Sequence, residues 1–184
     1  MDIFIDCGAY RGAILKKFKS LNPQYKCYAF ECNKALASTP YSEGVTVSNK
    51  AVWVHNNDMA FFINTKQPKI QGNSLYKSKT TGGLDTLHPE KIMCIDFSQW
   101  LQEKFSCQGH YIIVKMNIEG SEYVVLEKCL EDKSIDLINE LHIQWHVQKI
   151  PCIDRARHDS LINKLKNIKT LKLYSGYGNL YKKR

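Results

Sequence analysis

The chain has 184 residues, 43% of them hydrophobic and 24% charged, with a formal net charge of +8. That length suits one domain able to bury its own core. No apolar run approaches the roughly 18 residues a membrane-crossing helix needs, and no secretory leader pattern is present. The seven cysteines are scattered and include no CxxC pair, which argues against a disulfide framework or a structural zinc site and points to a cytoplasmic chain with reduced thiols. The basic excess concentrates in Lys66 to Lys79, in Lys164 to Lys172, and in Lys182, Lys183 and Arg184. Dispersed lysines of this kind read as solvated faces rather than a nucleic-acid surface, and they suit an anionic or nucleotide-linked acceptor equally well.

In chain order, Ile3 to Ile5 forms a short apolar strand and Ala13 to Phe18 carries helix-spaced apolar residues. Cys27 to Phe30 is a second strand, closed by Glu31. Val45 to Val54 reads as a strand, with a turn at His55 to Asp58 and a hairpin partner from Met59 to Ile63. Residues 65–90 hold Gly72, Gly82 and Gly83, show no period, and are expected to form a long loop on the substrate side. Ile92 to Ile95 is a strand, Phe97 to Phe105 a helix, and Tyr111 to Met116 a strongly apolar strand. A helix is expected over Gly120 to Leu130, a strand over Leu137 to Ile143, and an amphipathic helix over Arg155 to Leu165. Thr170 to Tyr174 and Leu180 to Tyr181 are expected to pair around the turn Ser175 to Gly178, giving an antiparallel C-terminal strand. Strands alternating with helices predict an α/β, Rossmann-like domain with a mostly parallel sheet covered on both faces.

In such sheets ligands sit at the carboxyl ends of the strands. The first strand runs into Asp6-Cys7-Gly8-Ala9-Tyr10-Arg11-Gly12, where the glycines permit a tight turn close to a ligand and the following helix offers amides. The spacing departs from the dinucleotide pattern G-x-G-x-x-G. An acid in the turn is expected to repel a pyrophosphate and to suit S-adenosylmethionine, which carries an ammonium, a carboxylate and a sulfonium but no phosphate. Glu31, some 20 residues on, is placed to accept hydrogen bonds from ribose hydroxyls.

These residues resemble the FkbM family of class I S-adenosylmethionine-dependent methyltransferases. FIDCGAYRG resembles the family's D-x-G-A-x-x-G turn, and YAFECN its F-E-P-N strand ending, with Cys32 in the proline's place. SNKAV resembles the adenine-side strand, GNSLY the small-and-serine segment, CIDFSQWL the D-x-L segment and ELHIQWH the fifth-strand ending. The most specific match is VKMNIEGSEYVVL, which is similar to L-K-I-D-x-E-G-x-E-x-x-V-L. The resemblance implies a cofactor site at Asp6, Gly8, Ala9, Gly12, Glu31, Asn33, Ala51 and Asn117. It also implies methyl transfer to a hydroxyl of a sugar or glycan, deoxyhexose-type being the leading acceptor. Asn117 stands where the family shows Asp; it cannot act as a base and is a weaker ligand for a hard cation. The first strand also begins at the very start of the chain, which raises the expectation of one domain taken from a longer protein.

Methyl transfer to a hydroxyl needs in-line alignment and an acceptor for the proton. His142 is the first choice of base because its ordinary pKa lies near working pH. Alternation along its strand places Glu140, His142, Gln144 and His146 on one face. Glu119 and Asn117 complete the catalytic candidates. Ser74, Tyr76, Glu122, Trp145 and His146 are the substrate-side candidates, and Glu140 with His142 raises a divalent cation as a second cofactor. Two other readings stay open: an RNA or protein methyltransferase, favoured by the charge but lacking a [DN]-P-P-[YF] signature, and a non-catalytic cofactor-binding module fused to a glycosyltransferase domain, suggested by Asn117 and the abrupt start.

Overall fold

Strand and helix alternate from the first residues onward in a computed structural model, which describes residues 1–36, 39–69, 71–107 and 109–184. In order these are β1 (Asp2–Cys7), α1 (Ala13–Leu21), β2 (Lys26–Phe30), β3 (Val45–Ser48), β4 (Ala51–Trp53), β5 (Asp58–Phe61), β6 (Glu90–Asp96), α2 (Phe97–Phe105), β7 (Tyr111–Met116), α3 (Glu122–Glu131), β8 (Glu140–Ile143), α4 (Arg155–Lys166) and β9 (Lys172–Ser175). Six strands form the main sheet in the order β3-β2-β1-β7-β8-β9, and every neighbouring pair is parallel. The order reverses between β1 and β7, so a crevice opens at their carboxyl ends, the usual ligand position of a doubly wound sheet.

Alternation assigns the two faces. Ile3, Ile5 and Cys7 of β1, Ile112, Val114 and Met116 of β7, and Leu141 and Ile143 of β8 bury against Leu101, Leu126 and Leu161 of α2, α3 and α4. Phe4 and Ile113 point the other way, onto Leu15 and Phe18 of α1. Phe4 and Phe18 stack with centroids 4.0 Å apart. α2 and α4 start where Asp96 and Asp154 accept the amides of Gln99 and Arg157, each cap contributing about 1 kcal/mol.

Three expectations are corrected. Residues 45–54 are two strands: β3 edges the main sheet, while β4 leaves it to pair in parallel with β6. The hairpin of that segment with residues 59–63 does not form, because β5 pairs antiparallel with β6 instead, making a second, three-stranded sheet. The antiparallel C-terminal strand is likewise absent among the described residues. β9 runs parallel to β8, and Leu180, in a short 3-10 turn, is buried in the cluster over α1. A helical crossover through α4 leaves β9 no direction but parallel, and the apolar Leu180 is used to cover the sheet face beside α1. Among the described residues no helix is long and apolar enough to cross a membrane.

Candidate functional site

The turn after β1 is packed so tightly that its chemistry is fixed by the backbone. Gly8 has φ +76, and a Cβ there would lie 2.0 Å from the Asn117 carbonyl oxygen at the end of β7. Gly12, at φ +70, begins α1 against the Tyr41 ring. The amides of Gly8 and Ala9 both donate to the Phe30 carbonyl at 2.9 Å. The Tyr10 amide donates to Glu31 Oε2 at 2.7 Å. The turn therefore binds itself to the end of β2 and presents none of these three amides to a ligand.

Asp6 also departs from expectation. Its side chain follows Phe4 onto the α1 face and is wholly buried, where its register neighbour across the sheet is Lys115. The Lys115 ammonium lies 2.8 Å from Asp6 Oδ1 and donates to the Gly8 carbonyl at 2.7 Å. The pairing is charge to charge, since no hydrogen bond of good geometry reaches either Asp6 oxygen. Asp6 thus meets its counter-charge inside the fold and does not line the pocket; nor do Ala9 and Gly12, which shape the turn behind it.

A pocket of about 670 Å³, its open mouth included, lies at the switch point. One wall is apolar: Leu36, Ala51, Val52 and Phe61. Opposite stand Gly8, Glu31 and Asn117. Glu31 Oε1 accepts the Asn33 amide at 2.8 Å and Oε2 the Tyr10 amide at 2.7 Å, so each oxygen keeps a lone pair. Burial raises the Glu31 pKa against the pull of those two amides. Asn33 Nδ2 donates to the Pro68 carbonyl, tying down the segment whose residues 71–75 roof the pocket. Asn117 Oδ1 and Ser121 Oγ, both buried on pocket-lining residues, have no hydrogen-bond partner among the described residues. Buried polar atoms are rarely left so. An apolar slot, a strand-end carboxylate and two unmet polar atoms fit a nucleoside with a polar tail.

The chain matches no protein-family model, no curated protein and no solved structure.

Beside the pocket, Glu119 takes a left-handed φ of +55 and gathers an ionic chain. Its Oε2 lies 3.3 Å from Lys79 Nζ and 3.3 Å from His146 Nε2, while His146 Nδ1 lies 2.8 Å from Glu122 Oε1. Glu122 is buried and accepts the amides of Ile118 and Gly120, which holds the β7–α3 turn in shape. Ser74 Oγ donates to the Glu119 carbonyl, joining the roof to the same turn. Burial alone would raise the Glu119 pKa, but His146 and Lys79 hold it down to about 2. Burial alone would lower that of His146, but Glu119 and Glu122 push it up to about 9. His146 is therefore an imidazolium at neutral pH, not a base.

A pH dependence follows. His146 stabilises the fold fully below its ordinary 6.5, and the contribution is lost as pH rises through about 9. Glu119 contributes above its ordinary 4.5 and loses this as pH falls through about 2. The contribution of this pair to the thermal midpoint is expected to be constant between about pH 4.5 and 6.5. It should decline from about pH 6.5 to 9 by an amount on the order of 3 kcal/mol, and the His146→Gln protein should lack the alkaline decline. An unchanged decline in that variant would remove the pair as its cause.

His142 does not reach the pocket. It is wholly buried on the face opposite α3, stacked on Tyr174 at 4.5 Å, with Nε2 3.2 Å from Glu140 Oε2. Glu140 is further bound by Tyr111 and Arg184, both at 2.6 Å. Burial raises its pKa, but these partners outweigh that and keep it well below the carboxylate range. The predicted alternation fails because β8 ends at Ile143, so His146 lies on the following loop and turns to Glu119 while His142 stays under the sheet. Trp145 is also corrected: it packs on Tyr123 and His158 between α3 and α4. Tyr76 meets Trp53 edge-on and flanks Gly120 without lining the pocket. Ser74 does line it, whereas Glu122 and His146 act one layer behind, through Glu119 and the turn. Among the described residues no cluster of three or more His, Cys, Asp or Glu is arranged to hold a metal, and Glu140 with His142 is sealed by Arg184; the donors there do not fit a protein-held cation.

Sequence reasoning missed Lys115 and Ser121, and read Lys79 as a handle for an anionic acceptor where the structure pairs it with Glu119. Lys115 carried a readable signal: a charge inside an apolar parallel strand demands a buried partner. The partner of Lys79, drawn from a glycine-rich loop, carried none.

Proposed function

We propose that this chain is an S-adenosylmethionine-dependent methyltransferase acting on a hydroxyl of a sugar or glycan. The observation that carries the cofactor reading is the switch-point pocket, where Glu31, Asn117 Oδ1 and Ser121 Oγ offer hydrogen-bonding capacity beside an apolar slot. A dinucleotide needs free amides for its pyrophosphate. Here the amides of Gly8, Ala9 and Tyr10 are all engaged and no residue of the first turn of α1 lines the pocket, which favours a phosphate-free nucleoside. This replaces the role first expected of Asp6. Glu31 would hold the ribose hydroxyls, Ala51 and Val52 the base, and Asn117 with Ser121 the amino-acid tail. When bound, the cofactor supplies an electrophilic methyl group.

The acceptor hydroxyl is oriented by Glu119, whose side chain is 17% exposed and fixed by Lys79 and His146. So acidic a carboxylic acid is a weak base, but a hydroxyl grows strongly acidic as its oxygen is alkylated, so its proton passes to the Glu119 carboxylate and from that partly exposed side chain to water. Asn117 takes no proton; it positions. The sugar class rests on the resemblance of the chain's segments to FkbM proteins. A cytoplasmic setting accords with cysteines that are all free.

Isothermal titration tests the reading. S-adenosylmethionine and its demethylated product are expected to bind and NAD not to. Glu31→Gln is expected to weaken the first two by roughly tenfold to a hundredfold, the range for losing charge-assisted hydrogen bonds. Binding of NAD alone would overturn the proposal. Labelled-methyl transfer to a sugar panel, set against tRNA, then decides the acceptor.

A further inference from the structure

A second concavity, about 690 Å³ with its mouth, is lined by Tyr10, Arg11, Gln67, Pro68 and Lys69. It adjoins the nucleoside pocket through Tyr10, which lines both. The side chains around it supply a guanidinium, an ammonium, a carboxamide and a phenol, and no carboxylate. Among the described residues neither Arg11 nor Lys69 has an acidic partner. Two cations facing one cleft without a counter-charge raise its potential and draw anions.

Tyr10 is held for the purpose. It is not glycine, yet its φ is +51, a strained conformation that collects at functional sites. Three ties enforce it: its amide to Glu31, its carbonyl to the Tyr41 hydroxyl, and its own hydroxyl to the Lys69 carbonyl. The last tie draws the Lys69 backbone to the cleft wall. The Arg11 guanidinium sits over the Tyr10 ring, 5.3 Å from its centroid, so its planar fork is partly ordered before any ligand arrives.

Resting on the methyltransferase reading, we propose that this cleft binds a phosphate or pyrophosphate ester carried by the acceptor, so that the substrate is a phosphorylated or nucleotide-linked sugar rather than a neutral glycan. Arg11 takes the phosphoryl oxygens in fork geometry and Lys69 adds a point charge.

The test titrates the protein separately with inorganic pyrophosphate, uridine diphosphate, a neutral methyl glycoside and S-adenosylhomocysteine. Pyrophosphate and the diphosphate are expected to bind and the glycoside not to. The Arg11→Ala/Lys69→Ala protein is expected to lose about 30-fold for both anions, with its S-adenosylhomocysteine affinity and thermal midpoint unchanged. Equal anion affinity in the variant would overturn the proposal by locating the binding elsewhere. A loss of S-adenosylhomocysteine affinity would overturn it by giving the cleft to the cofactor's carboxylate. Nucleoside binding without anion binding would sink the cleft alone, and anion binding without nucleoside binding would sink the methyltransferase reading while leaving the cleft.

Discussion

Lys115→Met is expected to destabilise the protein by about 3–5 kcal/mol, because it strands the wholly buried Asp6 carboxylate without its counter-charge. For a chain of this length that corresponds to a drop of roughly 10 °C in the thermal midpoint. Breaking a buried pair differs from replacing it, so Asp6→Leu combined with Lys115→Met should recover most of the loss. Urea denaturation of the two single variants and the double variant closes a double-mutant cycle. A Lys115→Met protein as stable as the parent would mean that Asp6 is not charged in the fold. The double variant carries a second expectation: with the Lys115 hydrogen bond to the Gly8 carbonyl gone, nucleoside affinity should fall even where stability returns. The ion pair under the sheet also holds the turn above it.

Gly8→Ala is the second large effect. The position combines φ +76 with a backbone oxygen 2.0 Å from the would-be Cβ, and the Asn117 carbonyl carbon lies at 2.9 Å. No rotamer change relieves a backbone clash, so the turn must lift off the end of β7. The left-handed φ costs about 1–2 kcal/mol and the forced separation about 1–3 kcal/mol more. Nucleoside binding should disappear in titration, since the turn and Asn117 pack on each other to form one wall of the pocket. Gly44 supplies the control: it has φ +74 with nothing within 4 Å, so Gly44→Ala should show the conformational cost alone. Equal effects of the two substitutions on the urea midpoint would show that the close approach is unimportant.

Much of the frame was legible because its signals are local. The apolar runs ending at Cys7, Phe30 and Met116 are adjacent strands of the main sheet, and the residues that close them, Gly8, Glu31 and Asn117, do converge on one pocket. A strand end in a parallel sheet is a position in space as well as in sequence, which is why strand-end reasoning found them. The partner of a side chain has no such local trace. Asp6 looked ligand-facing until β7 supplied Lys115, and His142 looked more suitable than His146 until β8 stopped at Ile143.

By itself, the amino-acid order determined an α/β alternation, a glycine turn after the first strand and a carboxylate closing the second, since each depends on periodicity or backbone freedom within a few residues. Tertiary structure alone decided which charges neutralise one another: Lys115 with Asp6, Lys79 and His146 with Glu119. Those pairings join residues far apart in the chain, and in a low-dielectric interior the nearest opposite charge, not the residue's own neighbourhood in sequence, sets what an ionisable group is free to do.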